Sequence, residues 1–457
     1  DWSAWNVQND PVTETTTAPG TGQDPAQGLA KAVEMCNNNG HCRKFDAGTM
    51  CPSYRVTRDE QHLTRGRANT LRLALSGQLD GLSGAEAFTS DAVREAMDLC
   101  VGCKGCKRDC PTGVDMARMK IEWLHHDRAR HGHSLKDRLI AHLPAYARWA
   151  ARAAPLLNLR NRMPWLAALG ERWLGLSAAR SLPAWRSRHF FNDAPRHTAT
   201  REEVLAAERG VVLFVDTFNG HFEDENARDA LAVLQAAGYT VHVAARAGGG
   251  HLCCGRTYLA AGMVDAARGK ARELIDELLP LARAGLAIVG LEPSCLLTLR
   301  DETLAMGLGA DAQVVADQAL LFEEFLAREA RAGRMEALKA RLLPLGQPVL
   351  VHGHCHQKAF DAVSPVLEVL RWVPGADPRL IESSCCGMAG SFGYEAEHHA
   401  VSMQMAELSL LPAVRAAPDA IVVADGTSCR HQIHDGAQRQ ALHVSRLLAR
   451  QLGPVQR

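Results

Sequence analysis

Twelve residues constrain this chain more than any others: Cys100-Val-Gly-Cys103-Lys-Gly-Cys106-Lys-Arg-Asp-Cys110-Pro111. Cysteines at three-residue steps let their thiolates wrap one face of a [4Fe–4S] cubane. The last cysteine is held in extended backbone by the proline that follows it. In two-cluster proteins a cysteine at that place ligates the other cluster. Zinc is the main rival, but zinc sites usually pair Cys-x-x-Cys units across a longer gap.

A chain of 457 residues has room for about three domains at roughly 150 residues each. Formal net charge is zero, which removes any global electrostatic case for binding nucleic acid. The fourteen cysteines are clustered rather than spread. Clustered thiolates in an Arg-rich chain argue for metal sites in a reducing cytoplasm. No signal peptide and no apolar run of bilayer length is recognised. The chain opens on Asp1 rather than Met, so it is expected to be a piece of a longer polypeptide.

Residues 1–27 are polar and rich in Thr, Gly and Pro, and read as a flexible linker. A helical iron–sulfur domain is expected over 28–137. Within it, Cys36-Asn-Asn-Asn-Gly-His-Cys42 and Cys51-Pro52 read as an altered first copy of the 100–111 run. The crossed pattern then assigns Cys51, Cys100, Cys103 and Cys106 to cluster A, and Cys36, Cys42 and Cys110 to cluster B. Asn39 stands where cluster B needs a thiolate, and an amide is a poor ligand for iron. Cluster B is therefore a three-iron form, a site completed by His41 or water, or absent. Helices are expected over 64–77, 90–99 and 114–126. Arg65, Arg67, Lys104, Lys107 and Arg108 either offset cluster charge or form a solvated face.

Residues 138–205 form a basic connector. Its first part, 138–188, carries nine arginines against one acid, Glu171, and holds Trp149, Trp165, Trp173 and Trp185. Such interleaving suits short amphipathic helices on an anionic membrane or a partner. The favoured reading is a helical linker whose Trp faces pack on the neighbouring domain.

From residue 206 the pattern alternates strand and helix, as in parallel α/β sheets. Val211–Asp216, Cys253-Cys254-Gly255 and Ser294-Cys295 recur in order as Pro348–His352 with Cys355, Cys385-Cys386-Gly387 and Ser428-Cys429. That is read as an internal duplication, 206–345 and 346–457, with cysteines just past strand ends, where ligands gather in open α/β sheets. The fold class expected is thus α+α/β: a helical two-cluster ferredoxin-like domain, then two duplicated α/β cysteine-rich domains. Cys355, Cys385, Cys386 and Cys429, with His354, His356 and His431 nearby, form the fuller site for a metal or a further cluster. Cys253, Cys254 and Cys295 form a degenerate one. A redox dithiol is the competing reading of either Cys-Cys pair.

These motifs resemble those of the iron–sulfur subunit of glycolate oxidase and the related subunits of anaerobic glycerol-3-phosphate dehydrogenase and heterodisulfide reductase. They resemble most the C-terminal half of bacterial FAD-linked D-2-hydroxyacid dehydrogenases of the D-lactate and D-2-hydroxyglutarate type. The match rests on Met35–Cys42, Met50–Asp59, Cys103–Asp115 and Gly426–Gln432, and covers about residues 28–457. Asn39 departs from the pattern. So does the lack of a Cys-x-x-Cys ending, which argues against a non-cubane disulfide-reducing cluster.

The resemblance implies an oxidoreductase module for electron transfer. One or two [4Fe–4S] clusters would carry electrons from flavin to a quinone or cytochrome. FAD would sit on an N-terminal half or a partner subunit, and no FAD-binding residues are identified here. The expected location is cytoplasmic, with peripheral contact at the inner face of the cytoplasmic membrane as an extension. The alternatives are a thiol–disulfide reductase acting at Cys385 and Cys386, and a non-catalytic metal-binding adaptor.

Overall fold

The computed structural model describes residues 28–45, 48–79, 81–193, 198–246 and 250–453. The linker expected over 1–27 lies outside them. The described chain is mostly helical, with two small parallel sheets.

The first part is a set of short helices around two cysteine loops. Leu29–Glu34, Pro52–Thr57, Thr64–Leu75, Asp91–Asp98, Gly105–Asp109 and Met116–His131 are its main elements. Thr64–Leu75 forms because its apolar residues recur at helical spacing, which buries Ala68, Leu71 and Ala74 on one side. Pro52 starts its helix at a position where no backbone donor is needed. These helices share a core with Tyr258, Leu259, Val264 and Ala271 from the α/β region, so the iron–sulfur part is docked rather than tethered.

The connector forms helices Leu135–Ala141, Leu143–Arg152, Ala154–Leu157 and Pro164–Leu174. Here the packing expectation fails for three of four tryptophans. Trp185 stacks on Phe222 at 4.3 Å, but Trp149, Trp165 and Trp173 are exposed. The reason is geometric: the connector's small residues, Ala147, Ala151, Ala154 and Ala167, make its buried face, leaving the large rings outside.

The first sheet contains β1 (Gly210–Phe214), β2 (Thr240–Val243), β3 (Ile288–Gly290) and β4 (Ala319–Leu321), in the order β2-β1-β3-β4. The second contains β5 (Val349–Val351), β6 (Pro378–Leu380), β7 (Ile421–Val423) and β8 (Ala441–Leu442), in the order β6-β5-β7-β8. Every pairing is parallel, and the two orders are equivalent. Val211–Phe214 is continuously apolar and buried, as a strand covered on both faces should be. The strand ends at Phe214, and Asp216 caps the next helix by accepting from the Phe218 and Asn219 amides. One core joins Val211, Val241 and Phe322 with Val349, Val366 and Leu447, so the two sheets are built on shared apolar contacts.

Candidate metal centres

Cys51, Cys100, Cys103 and Cys106 line one small, partly open cavity, with Thr64, Arg67 and Lys104 in its wall. Two loops distant in sequence are brought together by backbone approach. Gly105 lies against the Thr49–Met50 backbone so closely that a Cβ there would sit 2.8 Å from the Met50 nitrogen. The Asp109 carboxylate accepts from the Thr49 amide at 2.6 Å and from the Met50 amide at 3.2 Å. Asp109 thus clamps the Cys51 loop onto the cysteine run, a role its position between Cys106 and Cys110 did not announce.

Burial pushes the Cys51 and Cys106 thiols up. Cys103 rises for the same reason, and the neighbouring Cys355 adds to it. Buried thiols of this kind ionise when a cation supplies the missing charge, which is how metal binding couples to thiolate formation. Thr64 donates its amide to the Cys51 sulfur at 3.2 Å. Arg67 is buried, with Nε donating to the Ala96 carbonyl at 2.8 Å. The donor set therefore fits a cluster of thiolate ligands.

The basic residues separate by environment. Lys104 is buried and bonded to Asp301 and Glu302, at 2.5 and 2.7 Å. Lys107 shares Asp301 at 2.7 Å. Arg65 pairs with Glu60 and the half-exposed Arg108 with Asp361. Only Arg67 and Lys104 reach the cavity wall.

Cys36 and Cys42 are buried and act on one another electrostatically. Cys110 packs on the same core, with its sulfur 3.2 Å from Thr112 Oγ1. Asn39 is exposed and its side chain is used locally, accepting from the His41 amide at 2.8 Å and donating to Asn37 at 2.6 Å.

The second cysteine site lies past the ends of β5, β6 and β7, at the crevice where strand order reverses. Cys386 and Cys429 sulfurs are 3.6 Å apart. His352 joins them, and one ligand atom from each of the three lies within 4.8 Å of the others. Its ring meets the Cys386 thiol, and its Nδ1 is 2.9 Å from Ser383 Oγ. That is how a metal-ligating histidine is oriented by its outer neighbour. Cys355 is drawn down to about 6 by a hydrogen bond from Cys385. Cys386 is drawn down by bonds from Cys385 and Cys429. Lys358, bonded to the Ser383 and Ser384 carbonyls, lies beside all four sulfurs.

Two of the histidines expected at this site each have one ring nitrogen engaged by backbone, and His354 still acts on the Cys355 thiol. His354 caps its helix, its Nδ1 accepting from the His356 amide at 3.1 Å. His356 Nε2 meets the Gly102 carbonyl. His431 faces Tyr394. His352, which the sequence places at the end of a strand, is the histidine that lies with Cys386 and Cys429. Its signal is position, since it is the first residue beyond β5 on the side where Cys355 follows.

The first site gathers Cys253, Cys254 and Cys295 past β2 and β3, with two carboxylates beside Cys295 and Lys270 beside Cys253. A bond from Cys254 draws Cys295 down, yet burial, Asp216 and Glu292 push it up to about 12. Burial also raises Asp216 to about 6. The second site has four thiols with His352 and Lys358 beside them, against three thiols at the first.

Comparison with known proteins gives a 4Fe-4S dicluster domain over residues 32–114 and a cysteine-rich domain over residues 349–434. The chain is 27% identical over 440 residues to the D-2-hydroxyglutarate dehydrogenase of Escherichia coli (strain K12), covering 87% of this chain and 41% of that protein. With the Pseudomonas putida protein of the same name it shares 27% over 444 residues, 89% of this chain and 42% of that one. One subunit of the anaerobic glycerol-3-phosphate dehydrogenase of Escherichia coli (strain K12) is 26% identical over 320 residues, 70% of this chain and 78% of that one. No solved structure matches. The chain spans about two-fifths of the length of the D-2-hydroxyglutarate dehydrogenases it matches. These relatives are oxidoreductases, in line with the electron-transfer character read from the cysteine spacing. Across its iron–sulfur and cysteine-rich domains, the chain is similar to part of bacterial D-2-hydroxyglutarate dehydrogenases.

Proposed function

We propose that this chain is the iron–sulfur electron-transfer module of an FAD-linked D-2-hydroxyacid dehydrogenase. The observation that carries the reading is the cavity where Cys51 from one loop joins Cys100, Cys103 and Cys106 from another. A [4Fe–4S] cluster bound there supplies one-electron redox chemistry. Cys51, Cys100, Cys103 and Cys106 would be its ligands, with Thr64 and Arg67 lowering the cost of buried thiolate charge. Cys36, Cys42 and Cys110 would hold a second, incomplete cluster.

Cys355, Cys385, Cys386 and Cys429, with His352 now added, are proposed to hold a further metal or cluster. Two features support a role in transfer rather than in folding alone. Cys103 and Cys355 interact electrostatically, and Cys103 packs in one core with Cys355, Cys385, Cys386 and Cys429. The equivalent strand orders support reading the two sheets as duplicated cysteine-rich domains, the first degenerate.

FAD and the hydroxyacid site would lie on the further length that the relatives have, or on a partner subunit. The acceptor would be a quinone or cytochrome. Among the described residues no helix is long and apolar enough to cross a membrane. The exposed Trp149, flanked by Arg148 and Arg152 over its ring, with Trp165 and Trp173, suits peripheral contact with an anionic lipid face.

The test is chemical analysis of protein purified without oxygen. Iron and acid-labile sulfide should be present, and dithionite or a photoreduced flavin should bleach the visible absorbance. Zinc without iron or sulfide would overturn the proposal.

A further inference from the structure

Three histidines meet away from the cysteine sites. His189 comes from the connector, His221 ends the helix Thr217–His221 after β1, and His251 precedes Cys253. His189 and His221 ring centroids are 4.5 Å apart, and those of His221 and His251 are 5.0 Å apart. His221 is 1% exposed. Neither of its ring nitrogens has a hydrogen-bond partner, nor does His189 Nδ1 or His251 Nε2. Buried polar atoms are nearly always paired, so four orphaned ring nitrogens in one place call for a partner.

The surroundings keep the imidazoles neutral. Burial, with His251 and His189 as neighbours, holds His221 down to about 3. Neutral imidazole is the ligand form for transition metals. Phe191 covers the group, with its ring 5.3 Å from His221 and 5.6 Å from His251. Gly220 makes that cover possible, since a Cβ there would collide with the Phe191 ring.

We propose that His189, His221 and His251 form a nitrogen-donor site for a first-row divalent cation, with zinc the expected occupant, that staples the connector to the first α/β unit. Three imidazoles with no thiolate suit zinc, copper, nickel or iron(II), and zinc brings no geometric preference of its own. With zinc–nitrogen bonds of about 2.0 Å, imidazoles on one tetrahedral ion hold their centroids about 5 Å apart, the spacing found for His221 with His189 and with His251. As placed, no choice of one nitrogen per ring puts all three within 4.8 Å of one another. Loading therefore rotates the rings. It adds the segment before Cys253 to a connector already held to the His221 helix, where the Arg186 amide donates to the His221 carbonyl at 3.1 Å.

The test uses the whole chain, purified without oxygen from cells supplied with zinc. Zinc and iron per chain are measured by mass spectrometry, and zinc K-edge absorption reads the ligand shell. About one zinc per chain with a nitrogen and oxygen shell is expected. His221→Phe and His189→Ala should each lower zinc occupancy at least about tenfold, as loss of a ligand should, with iron unchanged. Should His221→Phe not fold, His189→Ala at the half-buried ring decides, with iron content reporting the fold. Zinc-free protein with full iron, or a nitrogen and oxygen zinc shell unchanged in both His221→Phe and His189→Ala, would overturn the proposal. Zinc with sulfur neighbours that neither variant changes would belong to the second cysteine site, and would overturn it equally if no other zinc is found.

Discussion

His356 Nε2 lies 3.3 Å from the carbonyl oxygen of Gly102. The first residue follows Cys355 and the second precedes Cys103. The loop that carries the cysteines at three-residue steps therefore touches the helix that starts the second cysteine site. Ser384, just before the Cys385-Cys386 pair, adds a bond to the Thr49 carbonyl beside Cys51. Two sites that the sequence separates by more than two hundred residues share a wall.

Cys51 should matter to the cavity as much as Cys103. Cys51→Ser and Cys103→Ser should each abolish most of the signal of a reduced [4Fe–4S] cluster at the cavity, read by electron paramagnetic resonance. Cys253→Ser should leave that signal unchanged. A full signal in Cys51→Ser would remove Cys51 from the ligand set.

Gly387 has φ +85°, and a Cβ there would lie 2.4 Å from the Ser402 carbonyl oxygen. Gly387→Ala must displace the turn that presents Cys385 and Cys386, beyond the roughly 1 kcal/mol of left-handed backbone strain alone. Metal bound at the second site should fall sharply while iron in the first cavity stays. Normal metal content together with normal thermal stability would show that the turn can shift without moving its sulfurs.

Lys104 is a buried cation between Asp301 and Glu302. Lys104→Ala leaves Asp301 to Lys107 and Glu302 to Arg256. It should therefore cost less than the roughly 3–5 kcal/mol of a fully broken buried pair, yet clearly more than an exposed pair, in denaturant unfolding. Arg108→Ala removes an exposed partner of Asp361 and should cost at most about 1 kcal/mol. Similar losses in the two variants would contradict the burial argument.

His398 bridges Asp98 of the iron–sulfur helices and Glu395 of the second α/β unit, at 2.9 and 3.1 Å. Burial pulls its pKa down, but the bonds to Asp98 and Glu395 prevail and push it up to about 9. A folded pKa above the unfolded value near 6.5 means stabilisation that is full below about pH 6.5 and lost as pH rises through about 9. The melting-temperature gap between the wild type and His398→Gln should be largest near pH 6 and close by pH 10. A gap independent of pH would show that His398 acts by packing on Phe392 alone.

Much of the local design was legible because it depends on neighbours in sequence. The helix over Thr64–Leu75, the buried strand Val211–Phe214 and the cysteine run all announce themselves by periodicity or spacing. Strands β4 and β8 escaped notice because three and two residues carry too little pattern. The tryptophans misled for another reason. Their burial depends on which face of the connector meets the protein, and alanines decided that.

The amino-acid order by itself determined that thiols would come in sets spaced as a 4Fe-4S dicluster domain spaces them, since ligand type and step length are local properties. Only tertiary structure decided that Asp109 would clamp the Cys51 loop, that His352 rather than His354 would face Cys386, and that carboxylates would surround Cys295. Those outcomes depend on which backbones approach and which charges are buried together. Burial and close approach are set by the whole packed chain, not by any stretch of it.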